Sequence, residues 1–137
     1  GWDCTVKCQA LKQSWESELD AYKDAYPELV SELLPRVNGD LPANFETQAQ
    51  EFIKACQDNP ENIATRKASQ NSINALQPLL PELLGGSADL AGSNLTWFKN
   101  AKALEDDAAG NYIHYGVREF GMTAIANGIA LYGGFIP

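Results

Sequence analysis

Apolar residues recur every third or fourth position along the first sixty residues, and that spacing predicts helices. Between Trp2 and Tyr26, Leu11, Trp15 and Leu19 fall at i, i+4 and i+8. One face of a helix can bury that stripe while Lys12, Glu16, Asp20 and Lys23 stay in water. Pro27 suits the first turn of a second helix, where its missing N–H leaves no bond unmade. Asn38-Gly39-Asp40 is a turn signal, and Asn44 is placed to cap a third helix. The apolar positions Phe45, Ala49, Phe52, Ile53 and Cys56 repeat along that helix until Asp58-Asn59-Pro60 ends it.

From Ile63 the pattern changes. A helix from about Ala64 to Gln77 carries Arg66 and Lys67 near its start, and Pro78 and Pro81 stop it. Glu82-Leu83-Leu84-Gly85-Gly86 then predicts a strand, and Asn111 to Tyr115 a second one. Gly116 makes a turn into a helix from Val117 to Tyr132, ended by Gly133-Gly134. The last residues, through Pro137, open like a further strand. Strand, loop, strand, helix and strand in that order make an α/β layer with a parallel sheet.

Two strings stand out: Gly85-Gly86-Ser87-Ala88-Asp89-Leu90 running into Gly92-Ser93-Asn94, and His114-Tyr115-Gly116-Val117-Arg118-Glu119-Phe120-Gly121-Met122. Both resemble the start of the pyrimidine-binding domain of transketolase. The first reads as a strand opening into a small-residue loop. The second reads as a strand, turn and helix with a carboxylate in the helix's first turn. Both shapes build ligand sites at strand ends. The resemblance runs without an evident gap from Trp2 to Pro137. It implies an α/β fold in which residues 1–62 form a helical connecting segment and residues 63–137 begin a parallel-sheet, thiamine diphosphate-binding (pyrimidine) domain, here truncated.

Charge narrows the partners. Of 137 residues, 45% are hydrophobic and 20% charged, the composition of a globular, soluble chain, with a net charge of -8. Glu16 to Glu61 holds eleven acidic against three basic residues. No basic face is present for a phosphate backbone, so nucleic-acid binding is not expected. The uncharged run from Phe120 to Pro137 is too short and too rich in Gly, Asn and Thr to span a membrane. Cys4, Cys8 and Cys56 make an odd set with no disulfide framework, which fits a reducing compartment. Cys4 and Cys8 lie one helical turn apart, but a metal site would need further His or Cys ligands, and the single histidine is His114. No basic and apolar leader opens the sequence, so a cytoplasmic location is expected. Asn94-Leu95-Thr96 matches a glycosylation acceptor by chance.

Glu119 is the sharpest candidate for chemistry. On a helix it shares a stripe with Met122, Thr123 and Ala126, and burial there would favour the protonated carboxyl. The competing reading is a carboxylate placed at the positive end of a helix dipole. The resemblance implies the catalytic role: the family's Arg-Glu pair falls on Arg118 and Glu119. Glu119 would then hydrogen-bond the aminopyrimidine of thiamine diphosphate, favouring the imino tautomer that deprotonates the thiazolium carbon. Asp89, at the end of the first strand, is implied to lie near the thiazolium side of the cofactor.

Arg66 and Ser93 lie in the two segments that resemble the family's grip on a sugar phosphate. A guanidinium offers a planar fork of donors and a loop serine a hydroxyl beside a backbone amide. The sequence departs from the family here, with Ala91-Gly92 where proline commonly precedes the serine. His114 is expected to be structural, and Trp97, Phe98, Tyr112 and Tyr115 to be core or interface. Gly121, Ala124, Ile125 and Gly128 form a small-residue face, which the resemblance assigns to a second subunit of a homodimer.

Several parts of that machinery are missing from the sequence. It contains no Gly-Asp-Gly with a distant Asn for magnesium and diphosphate, and no histidine cluster for substrate hydroxyls. The expectation is a transketolase fragment, inactive alone, whose Mg2+ ligands lie outside this chain. Its parent would transfer a two-carbon ketol unit between sugar phosphates in the pentose phosphate pathway. Two alternatives are a dihydroxyacetone synthase-like sibling and a non-catalytic, truncated dimerisation module.

Overall fold

The computed structural model describes residues 3–137, so Trp2, where the first helix was expected to begin, lies outside the described residues. The order of elements is α1 (Thr5–Ala25), α2 (Pro27–Asn38), α3 (Phe45–Asp58), α4 (Thr65–Leu76), β1 (Gly85–Ser87), α5 (Ala91–Asn94), β2 (Tyr112–His114) and α6 (Glu119–Tyr132). The chain forms two compact units, one up to Pro35 and one spanning Arg36–Pro137. The division falls inside α2 at Pro35, whose missing N–H removes one helical bond.

In the first unit α1 is held at its start by Asp3, whose Oδ1 accepts the Thr5 N–H at 3.0 Å. Together with the Thr5 hydroxyl, that bond keeps the Asp3 carboxyl below its ordinary range. The expected apolar stripe is not buried. Leu11 and Trp15 are 61% and 57% exposed, and no residue of α1 is buried. Spacing puts the stripe on one face, but burial needs a second surface, which this unit does not provide.

The second unit is built on parallel pairing. Gly85, Gly86 and Ser87 of β1 pair in register with Tyr112, Ile113 and His114 of β2. Successive amides at the start of β1 point to opposite edges: the Gly85 N–H goes to the Asn111 carbonyl, while the N–H of Leu84, just before the strand, goes to the Ile136 carbonyl at 2.8 Å. A parallel bridge joins Leu83 to Ile136 there. The architecture is therefore α/β, with strands shorter than the sequence predicted. Proline ends α4 as expected, through a 3-10 turn at Gln77–Leu79.

Phe98 and Tyr112 are fully buried and form the centre of the core, with ring centroids 6.1 Å apart in a tilted arrangement that suits aromatic quadrupoles. The Tyr112 hydroxyl is satisfied by Thr96 Oγ1 at 2.8 Å. Glycine at 85 is what lets these rings reach the sheet, since a Cβ there would stand 2.8 Å from Phe98 Cε1. Glu82 is also buried, and Arg36 Nε faces its carboxylate at 3.9 Å. Asn44 occupies the cap position of α3, but its side chain makes no capping bond. Its backbone carbonyl accepts from the Gln48 N–H instead.

Candidate functional site at the strand ends

Because β1 and β2 are parallel and pair Ser87 with His114, both strands end at the same edge of the sheet. Asp89 follows the first end and Glu119 the second. This edge is where open α/β sheets receive ligands. The turn after β1 is tied down twice: the Ser87 Oγ accepts the Leu90 N–H at 3.2 Å, and the Ser87 carbonyl accepts the Tyr115 N–H at 3.0 Å. Asp89 adopts a φ of 65°, a left-handed conformation uncommon for a residue with a side chain. Its side chain is exposed.

After β2, Gly116 turns the chain at φ 63° and the Arg118 guanidinium folds back to the Tyr115 carbonyl, Nη1 donating at 2.9 Å. Helix α6 begins at Glu119, two residues later than the sequence predicted, so Glu119 is its first residue. The burial that would favour a protonated carboxyl is not found here. Glu119 is exposed, as are Thr123 and most of the helix, and no residue of α6 is buried. The cause is the helix's own surroundings: its apolar side chains, Phe120 and Leu131 among them, face water rather than packed neighbours. Among the described residues the Glu119 carboxylate has no hydrogen-bond or ion-pair partner.

Ser93 sits on α5, a single helical turn that the sequence did not predict, and is exposed. The turn is closed by the Asn94 N–H on the Leu90 carbonyl at 2.8 Å and followed by Leu95 at φ 56°. Arg66 is the second residue of α4; it too is exposed and has no partner among the described residues. Sequence reading missed what joins these segments. Gln70 Nε2 donates to the Trp97 carbonyl at 2.8 Å, and the Lys99 N–H donates to Asn74 Oδ1 at 2.7 Å. Both residues lie at helical spacing from Arg66, the one signal that could have found them. His114 ends β2 with its ring stacked on Trp97, centroids 5.6 Å apart and planes within 15°. Trp97 itself is 40% exposed, so of the four predicted aromatics only Phe98 and Tyr112 are fully in the core.

Residues 61–137 match the family described as transketolase, pyrimidine binding domain. The chain belongs to the transketolase family. It is 58% identical over 136 residues to transketolase 1 of Escherichia coli, covering 99% of this chain and 20% of that protein. A transketolase 1 of Pasteurella multocida is 59% identical over 138 residues, with 21% of its length covered. Among solved structures, a Pichia stipitis transketolase in complex with sedoheptulose 7-phosphate superposes with a TM-score of 0.77 at 38% identity. It aligns with 94% of this chain and 19% of that one. Transketolase from Leishmania mexicana gives 0.78 at 38% identity over 96% of the chain. The chain thus spans about a fifth of the length of the curated transketolases it matches. Among its described residues no helix is long and apolar enough to cross a membrane.

Proposed function

We propose that this segment supplies the pyrimidine side of an active site that transfers a two-carbon ketol unit from a ketose phosphate to an aldose phosphate. One observation carries the reading: in a chain of the transketolase family, Asp89 and Glu119 leave the same edge of two strands paired in register. When bound, thiamine diphosphate supplies a thiazolium carbon that becomes a nucleophile once its proton is removed. The residues at this edge fit such a group, because Glu119 presents a free acceptor at the start of a 14-residue helix. Glu119 would hold the aminopyrimidine through a hydrogen bond to its carboxylate and so assist that proton's loss, and Asp89 would hold the thiazolium side.

Arg66 and Ser93 bind the terminal phosphate of the sugar. Both are exposed, and the Arg66 guanidinium is uncommitted, as a ligand-binding group must be before the ligand arrives. Magnesium ligands lie outside this chain. Residues 1–62 serve as the connecting segment and 63–137 as the start of the pyrimidine-binding domain. The small and apolar face of α6 meets a second subunit of a cytoplasmic homodimer that works in the pentose phosphate pathway. The dihydroxyacetone synthase reading is set aside because the relatives found carry the name transketolase. A non-catalytic dimerisation module would use the same helix without cofactor.

Glu119→Gln tests the reading in a protein carrying this segment at the relatives' full length. The amide is nearly isosteric, so fold and cofactor loading should persist. Hydrogen-deuterium exchange at the thiazolium carbon, followed by NMR after acid quench, should slow by ~10²- to 10⁴-fold, the usual worth of acid-base assistance. Native exchange in a folded, loaded variant would remove Glu119 from the mechanism.

A further inference from the structure

We infer that Gln70 and Asn74 are positioning residues for phosphate recognition, holding the Ser93 turn against the helix that carries Arg66. The inference rests on the phosphate-binding role proposed above for Arg66 and Ser93. Residues 66, 70 and 74 lie four apart on α4 and therefore share one face. Along that face the helix grips main chain. Gln70 Nε2 donates to the Trp97 carbonyl at 2.8 Å, and Asn74 Oδ1 accepts the Lys99 N–H at 2.7 Å. Lys67 Nζ sits 2.9 Å from Gln70 Oε1, which fixes the end of the amide that faces Trp97 as its donor end.

The gripped segment is continuous with the turn that bears Ser93. The Thr96 N–H bonds the Ala91 carbonyl of α5 at 3.2 Å. From the sheet side the same segment is pinned by Thr96 Oγ1 on the Tyr112 hydroxyl and by Trp97 stacked on His114. Ser93 therefore sits on a loop held from two directions.

That loop needs holding. Asp89 and Leu95, at φ 65° and 56°, are the two non-glycine residues with positive φ among the described residues, and they bracket α5 on either side. Such conformations persist where surrounding bonds over-determine them, and they gather at ligand-binding loops. The two amide side chains supply bonds of that kind from the same helix face that presents Arg66. They thereby tie the chain that follows Ser93 to the helix that carries Arg66.

The experiment compares phosphorylated with unphosphorylated aldehyde acceptors in a protein carrying this segment at full length, using Gln70→Met, Asn74→Leu, Asn74→Asp and Arg66→Ala. Each of the first two removes one neutral hydrogen bond, so KM for the phosphorylated acceptor should rise roughly three- to tenfold while kcat and the unphosphorylated acceptor's KM stay within about twofold. Asn74→Asp keeps the accepting oxygen and should behave like the parent. Equal losses on both acceptors, or a fall in kcat alone, would show that the two amides only stabilise the fold. If Arg66→Ala is phosphate-selective and the amide variants are not, the phosphate site stands and the positioning role fails. If Arg66→Ala is itself unselective, both fall.

Discussion

A Cβ built on Gly86 would run into the Tyr115 ring and come within 2.9 Å of the Ile113 carbonyl oxygen. The ring can shift but the backbone oxygen cannot easily follow, so Gly86→Ala should cost about 1–3 kcal/mol in urea unfolding. A variant as stable as the parent would mean that β1 and β2 can separate without penalty. Tyr115 offers a second measurement, because partial burial raises its hydroxyl above the ordinary value of 10.0. The unfolded chain releases that proton first. The stabilisation is therefore complete below about pH 10 and is lost as pH rises through the folded-state value. Tyr115→Phe should flatten that part of the alkaline stability profile, and identical slopes in both proteins would exclude Tyr115 as the cause. At this scale the sequence told where Asp89 and Glu119 stand in the chain, because each follows a strand and a turn residue. It could not tell that Glu119 is exposed or that Asp89 is left-handed. Burial and backbone strain are set by neighbours far off in sequence.

Helix ends were the most legible elements, since Pro27, Asp58-Asn59-Pro60 and Gly133 act locally on the backbone. Helix α5 was hidden because Gly, Ser and Asn have weak helix propensity, and its one turn is held by bonds to flanking loop residues. The strands are three residues each: β1 starts at Gly85, three residues after the predicted start, and ends at Ser87, while β2 keeps only the centre of the predicted run. Helix α6 makes an experimental claim of its own. Phe120, Leu131 and Tyr132 are 89%, 89% and 92% exposed. A helix apolar on all sides normally lies covered. Sedimentation of this chain alone should show its mass climbing above that of a monomer as concentration rises, and Phe120→Ser with Leu131→Ser should lower the climb. A strict monomer at every concentration would mean that this face tolerates water.

For the molecule as a whole, the family and the α/β class were readable from the Gly-Gly-Ser-Ala-Asp and Tyr-Gly-Val-Arg-Glu strings, because their glycines and carboxylates answer to backbone turns and strand ends. The two-unit division was not, since which residues gather into one compact unit depends on packing between elements rather than on a local pattern. A chain covering a fifth of its relatives, with no magnesium or diphosphate motif in its sequence, should not seat the cofactor alone. Calorimetry with thiamine diphosphate and magnesium should show no binding in the micromolar range, and micromolar affinity would overturn that expectation. The Leu83–Ile136 bridge bears on synthesis as much as on architecture. Residues 83–87 leave the ribosome before either of their partners exists, since β1 waits for β2 and Leu83 and Leu84 wait for Ile136, beyond α6. Until then their amides are open to any other extended chain, and parallel pairing across long loops closes slowly. The order of translation thus leaves the segment that leads to Asp89 exposed on one side or both until the chain beyond α6 has been made, a stretch that a chaperone would have to guard.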